Sequence, residues 1–256
     1  GAGVGLDNID ISYASQKGIP VLHAPSVNKV STAEHTVMFI MALGKSLIPS
    51  HNEMRLGNYD SRTTIRSWEL KNKKVGLIGF GNIGIEVAKR LKFGLEMQVS
   101  AWSDYLSSSN RAVAEQMGIT IVPSREEIFA HSDFVSLHIP LNDATRHTID
   151  KNLLSLMKPS AFFVNTARGG IVKQDDLFAI LQNKKIAGAA LDVFDPEPPA
   201  PDMPLLKLPN VIVTPHIAGT TVECNYISAT TVATNVIRVL NGADPVEIMA
   251  ELKKAN

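Results

Sequence analysis

The sequence lacks most of the features that mark a cross-linked, membrane-spanning or nucleic-acid-binding protein. Cys224 is its one cysteine, which excludes an internal disulfide framework and a thiolate metal cluster and favours a reducing compartment such as the cytoplasm. Its 25 Lys and Arg residues balance 25 Asp and Glu residues, so no net field attracts a nucleic acid or an anionic membrane. The longest helical apolar stretch, Val37 to Leu43, is far shorter than the roughly 20 residues that cross a bilayer. We therefore expect a soluble, cytoplasmic protein without nucleic-acid or membrane partners.

The chain also lacks an ordinary beginning. It opens with Gly-Ala-Gly-Val-Gly instead of Met, and its first residues show neither the charged region nor the apolar run of a signal peptide. Its 256 residues provide for one large domain and part of a second, since domains usually span roughly 100–200 residues. We therefore expect a fragment of a longer protein.

A regular alternation of segments begins at about Lys74. Short β-branched or apolar runs alternate there with amphipathic segments, which is the pattern of βαβ units. The predicted strands are Val75–Ile78, Gln98–Trp102, Ile119–Val122, Phe134–His138, Ala161–Asn165, Ile186–Val193 and Val211–Thr214. Parallel neighbours need crossover connections, and the crossover helices cover both faces of the sheet. The pattern therefore predicts an α/β protein with a doubly wound, parallel sheet of about seven strands.

Helical segments lie on both sides of this block. Ser31-Thr32-Ala33-Glu34 has the form of a capping box that opens a helix, and Pro49 should kink or end that helix. Thr221 to Leu240 is again helical and ends at Asn241-Gly242, a common C-terminal signal.

Two outer segments, residues 1–25 and 219–256, lie outside the central block. If they pack together, they form a second domain beside the sheet. We therefore predict an incomplete second domain made of residues 1–25 and 219–256, and a central domain at residues 26–218.

A glycine loop follows the first predicted strand. Gly79-Phe80-Gly81-Asn82-Ile83-Gly84 fits G-x-G-x-x-G and opens an amphipathic helix from Ile83 to Phe93, whose N-terminus offers N–H groups and partial positive charge to a phosphate. Asp104 lies twenty residues beyond Gly84, where an acid accepts the ribose hydroxyls and repels a 2′-phosphate. The pattern predicts a Rossmann-type dinucleotide-binding domain that favours NAD over NADP. Two alternatives are that Ser103 takes the acid position, or that this is only a turn cluster beside a solvated Asp.

Three polar residues follow the last three predicted strands. They are Arg168, Glu197 and His216, and parallel strands bring them to the carboxyl edge of the sheet, where the glycine loop also lies. Hydride reduction of a ketone leaves an alkoxide, which a nearby proton donor such as His216 stabilises. A carboxylate such as Glu197 orients the ring and favours its charged form, and Arg168 can grip a substrate carboxylate or polarise the carbonyl. Singly, each residue could instead be a turn cap, a solvated charge or a partner of a backbone carbonyl.

Other chemistries find no support in the sequence. The remaining histidines are scattered without carboxylates or Cys at metal-ligand spacing, so no metal site is predicted. Among them are His23, His35, His51, His131 and His147. The G-x-S-x-G motif of serine nucleophiles is absent.

With these motifs, the sequence resembles the D-isomer-specific 2-hydroxyacid dehydrogenase family over nearly its whole length. The segments that carry the resemblance are Gly5-Leu6-Asp7-Asn8-Ile9-Asp10, Ala33-Glu34, Gly79 to Gly84, Asn165-Thr166-Ala167-Arg168-Gly169, Leu191-Asp192-Val193-Phe194 with Glu197-Pro198, and Thr214-Pro215-His216-Ile217-Ala218-Gly219. The resemblance implies an NAD-dependent enzyme that interconverts 2-oxo acids and D-2-hydroxy acids. Phosphoglycerate dehydrogenases and glyoxylate or hydroxypyruvate reductases are of this type.

The resemblance also implies roles for individual residues. Arg168 would bind the 2-oxo carboxylate, His216 would give or take the proton, and Glu197 would pair with His216. Asp192 is similar to the residue that holds the nicotinamide carboxamide, and the backbone at Val4 and Gly5 would meet the substrate carboxylate. Further cofactor contacts are expected from Gly79, Gly81, Asn82, Ile83, Gly84, Asp104, Thr166, Ala167, His216 and Gly219, with Ile139, Pro140 and Thr145 on the adenosine side.

The family pattern further implies a smaller, flavodoxin-like substrate domain and a homodimer formed through the helix that Ser31 opens. The sequence departs from the pattern in two places. Family members carry further βα units before the segment at residue 1, and their NAD-type acid directly follows an aromatic residue, whereas Ser103 separates Trp102 from Asp104 here.

Three alternatives remain open at this point. Formate dehydrogenases resemble the family but carry Gln in place of Glu197, so the carboxylate disfavours them. An NAD(H)-sensing corepressor would keep the same polar residues without turnover, and a ligand-free Rossmann-like domain would bind no cofactor. Within the enzymatic interpretation, the sequence leaves the choice of 2-hydroxy acid open.

Overall fold

The protein is described here from a computed structural model, and the described residues are 9–22, 24 and 27–244. The chain divides into two compact units, Gly1–Thr32 with Gly219–Asn256 and Ala33–Ala218. The described part of the first unit contains helices and no named strand. The flavodoxin-like fold of a substrate domain and the domain limits drawn from the sequence stay predictions.

Unit Ala33–Ala218 is built on a parallel sheet. Its strands are β1 Lys74–Ile78, β2 Gln98–Trp102, β3 Thr120–Ile121, β4 Phe134–Leu137, β5 Phe162–Asn165, β6 Gly188–Leu191 and β7 Val211–Val213. They lie in the order β3-β2-β1-β4-β5-β6-β7, and every neighbouring pair is parallel. The predicted doubly wound sheet of seven strands is thereby confirmed. Several strands are shorter than the sequence predicted, above all β6, because apolar residues continue past the paired segment.

The helices, in chain order, are α1 Ile11–Gln16, α2 Lys29–Gly44, α3 Leu47–Arg55, α4 Asn82–Lys89, α5 Ser108–Gln116, α6 Arg125–His131, α7 Lys151–Leu154, α8 Gln174–Gln182 and α9 Val222–Leu240. A π-helical turn, Arg90–Gly94, continues α4, and single 3₁₀ turns occupy Tyr59–Thr63, Gly169–Ile171 and Pro204–Lys207.

Apolar side chains cover both faces of the sheet. In β4, Phe134 belongs to one buried cluster while Val135 and Leu137 belong to the other, as the alternation of side chains along a strand requires. The first cluster includes Phe39 of α2, and the second includes Phe129 of α6. Strands β4, β5 and β6 are buried at every position, which is why apolar residues dominate them in the sequence.

The predicted capping box is wrong. Helix α2 begins at Lys29, and its hydrogen bonding already includes the bond from the Thr32 amide to the Asn28 carbonyl. Ser31 therefore lies within the first turn, where its hydroxyl donates to the Asn28 carbonyl at 3.0 Å. The Ser-x-x-Glu pattern did not mark the start of the helix, because the helical hydrogen bonding already begins at Asn28.

The predicted effect of Pro49 is also wrong. Helix α2 ends at Gly44, and Ser46 has a left-handed φ of 51° before α3 begins at Leu47. Pro49 lies in the first turn of α3, where its missing N–H removes no helical hydrogen bond. The helix predicted from Thr221 to Leu240 is confirmed, with the Thr221 hydroxyl accepting the Cys224 amide at the N-terminus.

Candidate active site

The last residues of six strands lie in one row across the sheet. Strand pairing aligns Trp102, Ile78, Leu137, Asn165, Leu191 and Val213, which end β2, β1, β4, β5, β6 and β7. Because all strands run the same way, the segments that follow them leave the sheet at one edge. The glycine loop, the Arg168 turn, the loop with Glu197 and the turn with His216 thus all begin at this edge, which is where open α/β sheets bind ligands.

The three motif glycines are explained by three different surroundings. Gly79 has φ of +106°, and a Cβ there would lie 2.4 Å from the His138 carbonyl oxygen. A Cβ at Gly84 would lie 2.4 Å from the Gly79 carbonyl oxygen, so helix α4 packs directly on the loop. A Cβ at Gly81 would meet no protein atom within 4 Å, and its backbone is extended, with φ −94° and ψ −161°. The protein itself therefore does not require glycine at position 81.

The open space at Gly81 fits a dinucleotide. It lies at the start of α4, which begins at Asn82, and a helix N-terminus offers N–H groups to a phosphate. Any side chain at position 81 would occupy the space that a pyrophosphate needs when it approaches the main chain. The loop residues thus fit the cofactor that the sequence predicted.

The loop after β2 holds the two candidates for the ribose acid. The Ser103 hydroxyl donates to the Tyr105 carbonyl at 2.7 Å, so it turns back onto its own chain, whereas Asp104 is exposed. The Asn110 side-chain amide donates to the Phe80 carbonyl at 3.0 Å and ties this region to the glycine loop. This arrangement favours Asp104 over Ser103 as the acid that would accept the ribose hydroxyls. Asn110, which was not predicted from the sequence, connects this loop to the glycine loop.

Asn165 shapes the turn that carries Arg168. Its side chain is 1% exposed, accepts the Ala167 amide at 3.0 Å and donates to the Arg168 carbonyl at 2.9 Å. Arg168 Nη1 donates to the Ala167 carbonyl at 2.7 Å, and the Thr166 hydroxyl lies 2.8 Å from that of Thr36. An Asn at the end of a strand is a signal for such a side-chain-closed turn, and it could have been read from the sequence.

The Arg168 turn touches the loop that carries Glu197. A Cβ at Gly169 would lie 1.9 Å from the Phe194 carbonyl oxygen and 2.0 Å from its carbonyl carbon. Main chain therefore meets main chain at this point. Glycine at position 169 lets these two loops approach each other.

Glu197 and His216 form a hydrogen-bonded pair. His216 Nδ1 donates to Glu197 Oε2 at 2.8 Å, and Glu197 Oε1 accepts the Phe194 amide at 2.8 Å. The His216 side chain is 45% exposed and that of Glu197 is 34% exposed, so a small molecule can reach the pair. With Nδ1 directed at Glu197, Nε2 is the ring nitrogen that remains to face a substrate.

Asp192 anchors the turn on which His216 lies. Its carboxylate is fully buried and accepts hydrogen bonds from the Thr214 hydroxyl at 2.5 Å, the Ile217 amide at 2.9 Å and the Ala218 amide at 2.8 Å. The Asp192 carbonyl accepts the His216 amide at 2.8 Å, and His216 has a left-handed φ of 56°. The buried carboxylate therefore sets the backbone of this turn, while its expected contact with a nicotinamide stays a prediction.

His35 supports the same turn. Its Nε2 lies 3.0 Å from the Thr214 hydroxyl and 3.8 Å from Asp192 Oδ1. Burial lowers the pKa of His35 below its ordinary value, and the smaller, opposing effect of the Asp192 carboxylate does not cancel this shift. No role for His35 could be predicted from the sequence, because its contact with Thr214 joins residues 179 positions apart.

The remaining predicted site residues have different surroundings. The Thr145 hydroxyl donates to the Pro140 carbonyl at 2.7 Å, so residues 140–145 form a closed turn after β4, next to Ile139. Gly219 belongs to the other unit. Val4 and Gly5 lie outside the described residues.

Residues 9–22, 24 and 27–244 contain neither a metal-binding cluster nor a membrane-spanning helix. No group of three or more His, Cys, Asp or Glu side chains in these ranges is arranged to hold a metal ion. No helix among them combines the length and the apolar character that crossing a membrane demands.

Comparison with known proteins gives consistent matches. The family model described as "D-isomer specific 2-hydroxyacid dehydrogenase, NAD binding domain" matches residues 37–218. The D-3-phosphoglycerate dehydrogenase of Archaeoglobus fulgidus is 40% identical over 241 residues, which are 94% of this chain and 45% of that protein. The glyoxylate reductase of Thermofilum pendens is 38% identical over 250 residues, 94% of this chain and 71% of that protein. The chain thus spans about half the length of the phosphoglycerate dehydrogenases that it matches.

A solved structure, the formate dehydrogenase of Granulicella m., superposes with a TM-score of 0.89 at 30% identity and covers 98% of this chain and 65% of that one. The fold is therefore shared beyond the hydroxy-acid enzymes. The family model matches residues 37–218, which are most of this chain. The chain therefore belongs to the D-isomer specific 2-hydroxyacid dehydrogenase family, and residues 37–218 are its NAD-binding domain.

Proposed function

We propose that this chain carries the reacting side chains of an enzyme that transfers a hydride between NAD(H) and a small 2-oxo or D-2-hydroxy acid. The observation that supports this most is the 2.8 Å hydrogen bond between His216 Nδ1 and Glu197 Oε2. The pair lies at the same edge of the sheet as the open glycine loop and the Arg168 turn. The NAD(H)-sensing alternative gains nothing from the relatives reported above, which are named as dehydrogenases or a reductase.

The cofactor would be held by the glycine loop, with its pyrophosphate over Gly81 and the start of α4. Asp104 would accept the ribose hydroxyls and disfavour NADP. When bound, the nicotinamide supplies the hydride for the carbonyl carbon. The further contacts proposed for this cofactor are those of Ile139, Pro140, Thr145, Thr166, Ala167, Asp192 and Gly219.

His216 would serve as the proton donor in reduction and as the acceptor in oxidation. Glu197 holds Nδ1, so the ring presents Nε2 to the substrate, and the carboxylate balances the positive charge of the protonated ring. In reduction, the Nε2 proton moves to the oxygen on which charge develops, and the C=O bond becomes C–OH. In oxidation, the same nitrogen takes the proton back.

Arg168 would bind the substrate carboxylate. Its guanidinium fork matches the two oxygens of a carboxylate, which an ammonium group cannot do. Asn165 fixes the main chain on both sides of it, from the Ala167 amide to the Arg168 carbonyl. A rigid turn keeps the substrate carbonyl at a constant distance from the proton donor, and such positioning lowers the barrier. The backbone at Val4 and Gly5 is proposed as a second contact for the carboxylate.

A homodimer is the proposed assembly, with α2 and α3 at its interface, and the cytoplasm is the proposed location. Helices α2 and α3 expose large apolar side chains that a monomer leaves in water. Within unit Ala33–Ala218 these are Met38, Met41, Leu47, Ile48 and Met54, each between 39% and 57% exposed.

A turnover assay tests the proposed function. The full-length protein, with NADH and NADPH in parallel, is given glyoxylate, hydroxypyruvate, its 3-phosphate, pyruvate and branched 2-oxo acids. We expect NADH oxidation with at least one of them. His216→Ala should lower kcat by about 10²–10⁴-fold while NADH binding persists, and the matched control is His131→Ala, since His131 is an exposed residue at the end of α6. NADH binding without turnover of any acid would refute the enzymatic role and favour a sensor.

A further inference from the structure

The loop that carries Glu197 has few hydrogen-bond donors of its own. Between Asp195 and Met203, prolines occupy positions 196, 198, 199 and 201. Proline has no backbone N–H, so main-chain hydrogen bonds within the segment are scarce. A loop of this composition depends on side chains from elsewhere to hold its position.

One side chain meets both ends of this loop. Gln174 begins α8, and its amide is partly buried against the main chain of Asp195. Gln174 Oε1 accepts the Asp195 amide at 3.2 Å, and Gln174 Nε2 donates to the Asp195 carbonyl at 3.0 Å. The same Nε2 lies 3.5 Å from Met203 Sδ, at the far end of the proline-rich segment.

The position of Asp195 determines where the Glu197 carboxylate can lie. Glu197 Oε1 accepts the amide of Phe194, the residue just before Asp195, at 2.8 Å. Glu197 Oε2 then reaches His216 Nδ1 at 2.8 Å. A shift of the main chain at residue 195 would therefore move the carboxylate relative to the imidazole ring.

The other contacts of Asp195 hold it less firmly. Its carboxylate lies 3.2 Å from His147 Nε2 and 3.9 Å from Arg146 Nη1. These side chains are 48% and 51% exposed, and exposed ion pairs contribute little because water and salt screen them. A side-chain amide carries a separate donor and acceptor, and those of Gln174 pair with both main-chain groups of Asp195.

We propose that Gln174 is a positioning residue that holds the Glu197 loop and thereby sets the Glu197–His216 hydrogen bond. This inference rests on the proposed function for its kinetic consequence, whereas the hydrogen bond itself can be measured without turnover. Gln174 touches neither substrate nor cofactor in this proposal. Its effect passes through Asp195 and Glu197.

The test compares Gln174→Met with Gln182→Met in the full-length protein. Methionine keeps the length of the side chain and removes both hydrogen-bonding groups, and Gln182 is an exposed residue at the end of the same helix. We expect Gln174→Met to lower kcat for the 2-oxo acid about 10-fold to 100-fold, as small misplacements in active sites do, with an unchanged dissociation constant for NADH. Gln182→Met should leave both unchanged. Gln174→Glu retains the acceptor for the Asp195 amide and should fall between wild type and Gln174→Met.

A double-mutant cycle separates positioning from a general loss of stability. In a Glu197→Gln background, Gln174→Met should change kcat less than about twofold, since residues that act through one another are not additive. An equal fold-loss in both backgrounds would overturn the proposal. Melting temperatures of all variants identify any that lose activity by unfolding, and Gln174→Glu then takes the place of Gln174→Met.

A spectroscopic measurement tests the positioning role of Gln174 separately from the proposed enzymatic function. The Nδ1 proton of His216, observed by ¹⁵N-edited NMR, should give a downfield signal in wild type that is lost or shifted in Gln174→Met and retained in Gln182→Met. If no 2-oxo acid is reduced by wild type, the proposed function fails and this signal still decides the role of Gln174. A His216 signal that Gln174→Met leaves unchanged would overturn the positioning role, whatever the turnover.

Discussion

Adding one methyl group to Gly169 should disturb the active site far more than adding it to the adjacent Gly170. A Cβ at Gly169 would lie 1.9 Å from the Phe194 carbonyl oxygen, 2.0 Å from its carbonyl carbon and 2.6 Å from its Cα, all of which are main-chain atoms. A Cβ at Gly170 would lie 3.1 Å from Arg146 Nη1, 3.1 Å from Leu141 Cδ2 and 3.3 Å from Asp195 Oδ2. These last three are the ends of side chains, which can move aside.

The size of the effect follows from these distances. Non-bonded carbon atoms attract each other best at about 3.5 Å. Gly169→Ala must therefore move the loop that contains Gly169 away from the Phe194 main chain by more than about 1 Å. One loop carries Arg168 and the other carries Glu197, and a displacement of about 1 Å in such a site lowers turnover by about 10²-fold. Overpacking also destabilises by about 1–3 kcal/mol, which lowers the melting temperature of a domain of this size by a few degrees per kcal/mol.

The assay is steady-state NADH oxidation with the best 2-oxo acid, together with NADH fluorescence titration and thermal melting. Gly169→Ala should lower kcat/KM by about 10²-fold with NADH binding retained, because the glycine loop is untouched. Gly170→Ala should stay within about threefold of wild type. Near-normal turnover in Gly169→Ala would refute the reasoning that main-chain contact sets the spacing of the two loops.

Four further predictions address the cofactor, the substrate, acid stability and assembly. Gly81→Asp should fold normally, since a Cβ there meets no protein atom within 4 Å, yet lose NADH binding in a fluorescence titration. Gly94→Asp is the control because its Cβ also meets open space, and equal binding by both would count against the pyrophosphate site. Arg168→Lys should raise KM for the 2-oxo acid by about 10-fold or more, with a smaller change in kcat. Burial lowers the pKa of His138 from 6.5 to about 3. Between these two pH values the His138 imidazole is protonated in the unfolded chain and neutral in the folded protein. The free energy of unfolding should therefore fall by about a few kcal/mol as the pH drops from 6.5 towards 3, and a urea-denaturation series of wild type against His138→Phe measures it. Met41→Glu should shift the mass measured by light scattering from dimer to monomer, and an unchanged dimer would exclude Met41 from the interface.

Elements whose signals lie within a short stretch of sequence were predicted best. The strand β1 and the glycine loop could be predicted because each depends on residues next to one another. β1 is a short apolar run that is buried after Lys74, and the glycines follow it in a fixed spacing. The ends of elements were predicted less well. Ser31 has a capping pattern but lies inside α2, and Pro49, which was expected to kink or end that helix, lies in the first turn of the next helix, α3. A short sequence pattern shows which turns are compatible with it and does not select one of them.

The residue pairs that make the site are distant in sequence, and only the tertiary structure joins them. The sequence by itself determined a parallel α/β sheet with Arg168, Glu197 and His216 beyond its strand ends, because strand direction places such residues at one edge. The pairing of Glu197 with His216 was expected from the family resemblance. The sequence could not determine that Gly169 meets the main chain of Phe194 or that Gln174 bonds the main chain of Asp195. Those contacts depend on the order of strands in the sheet and on the paths of loops, which are set by the packing of the whole unit and not by any short segment.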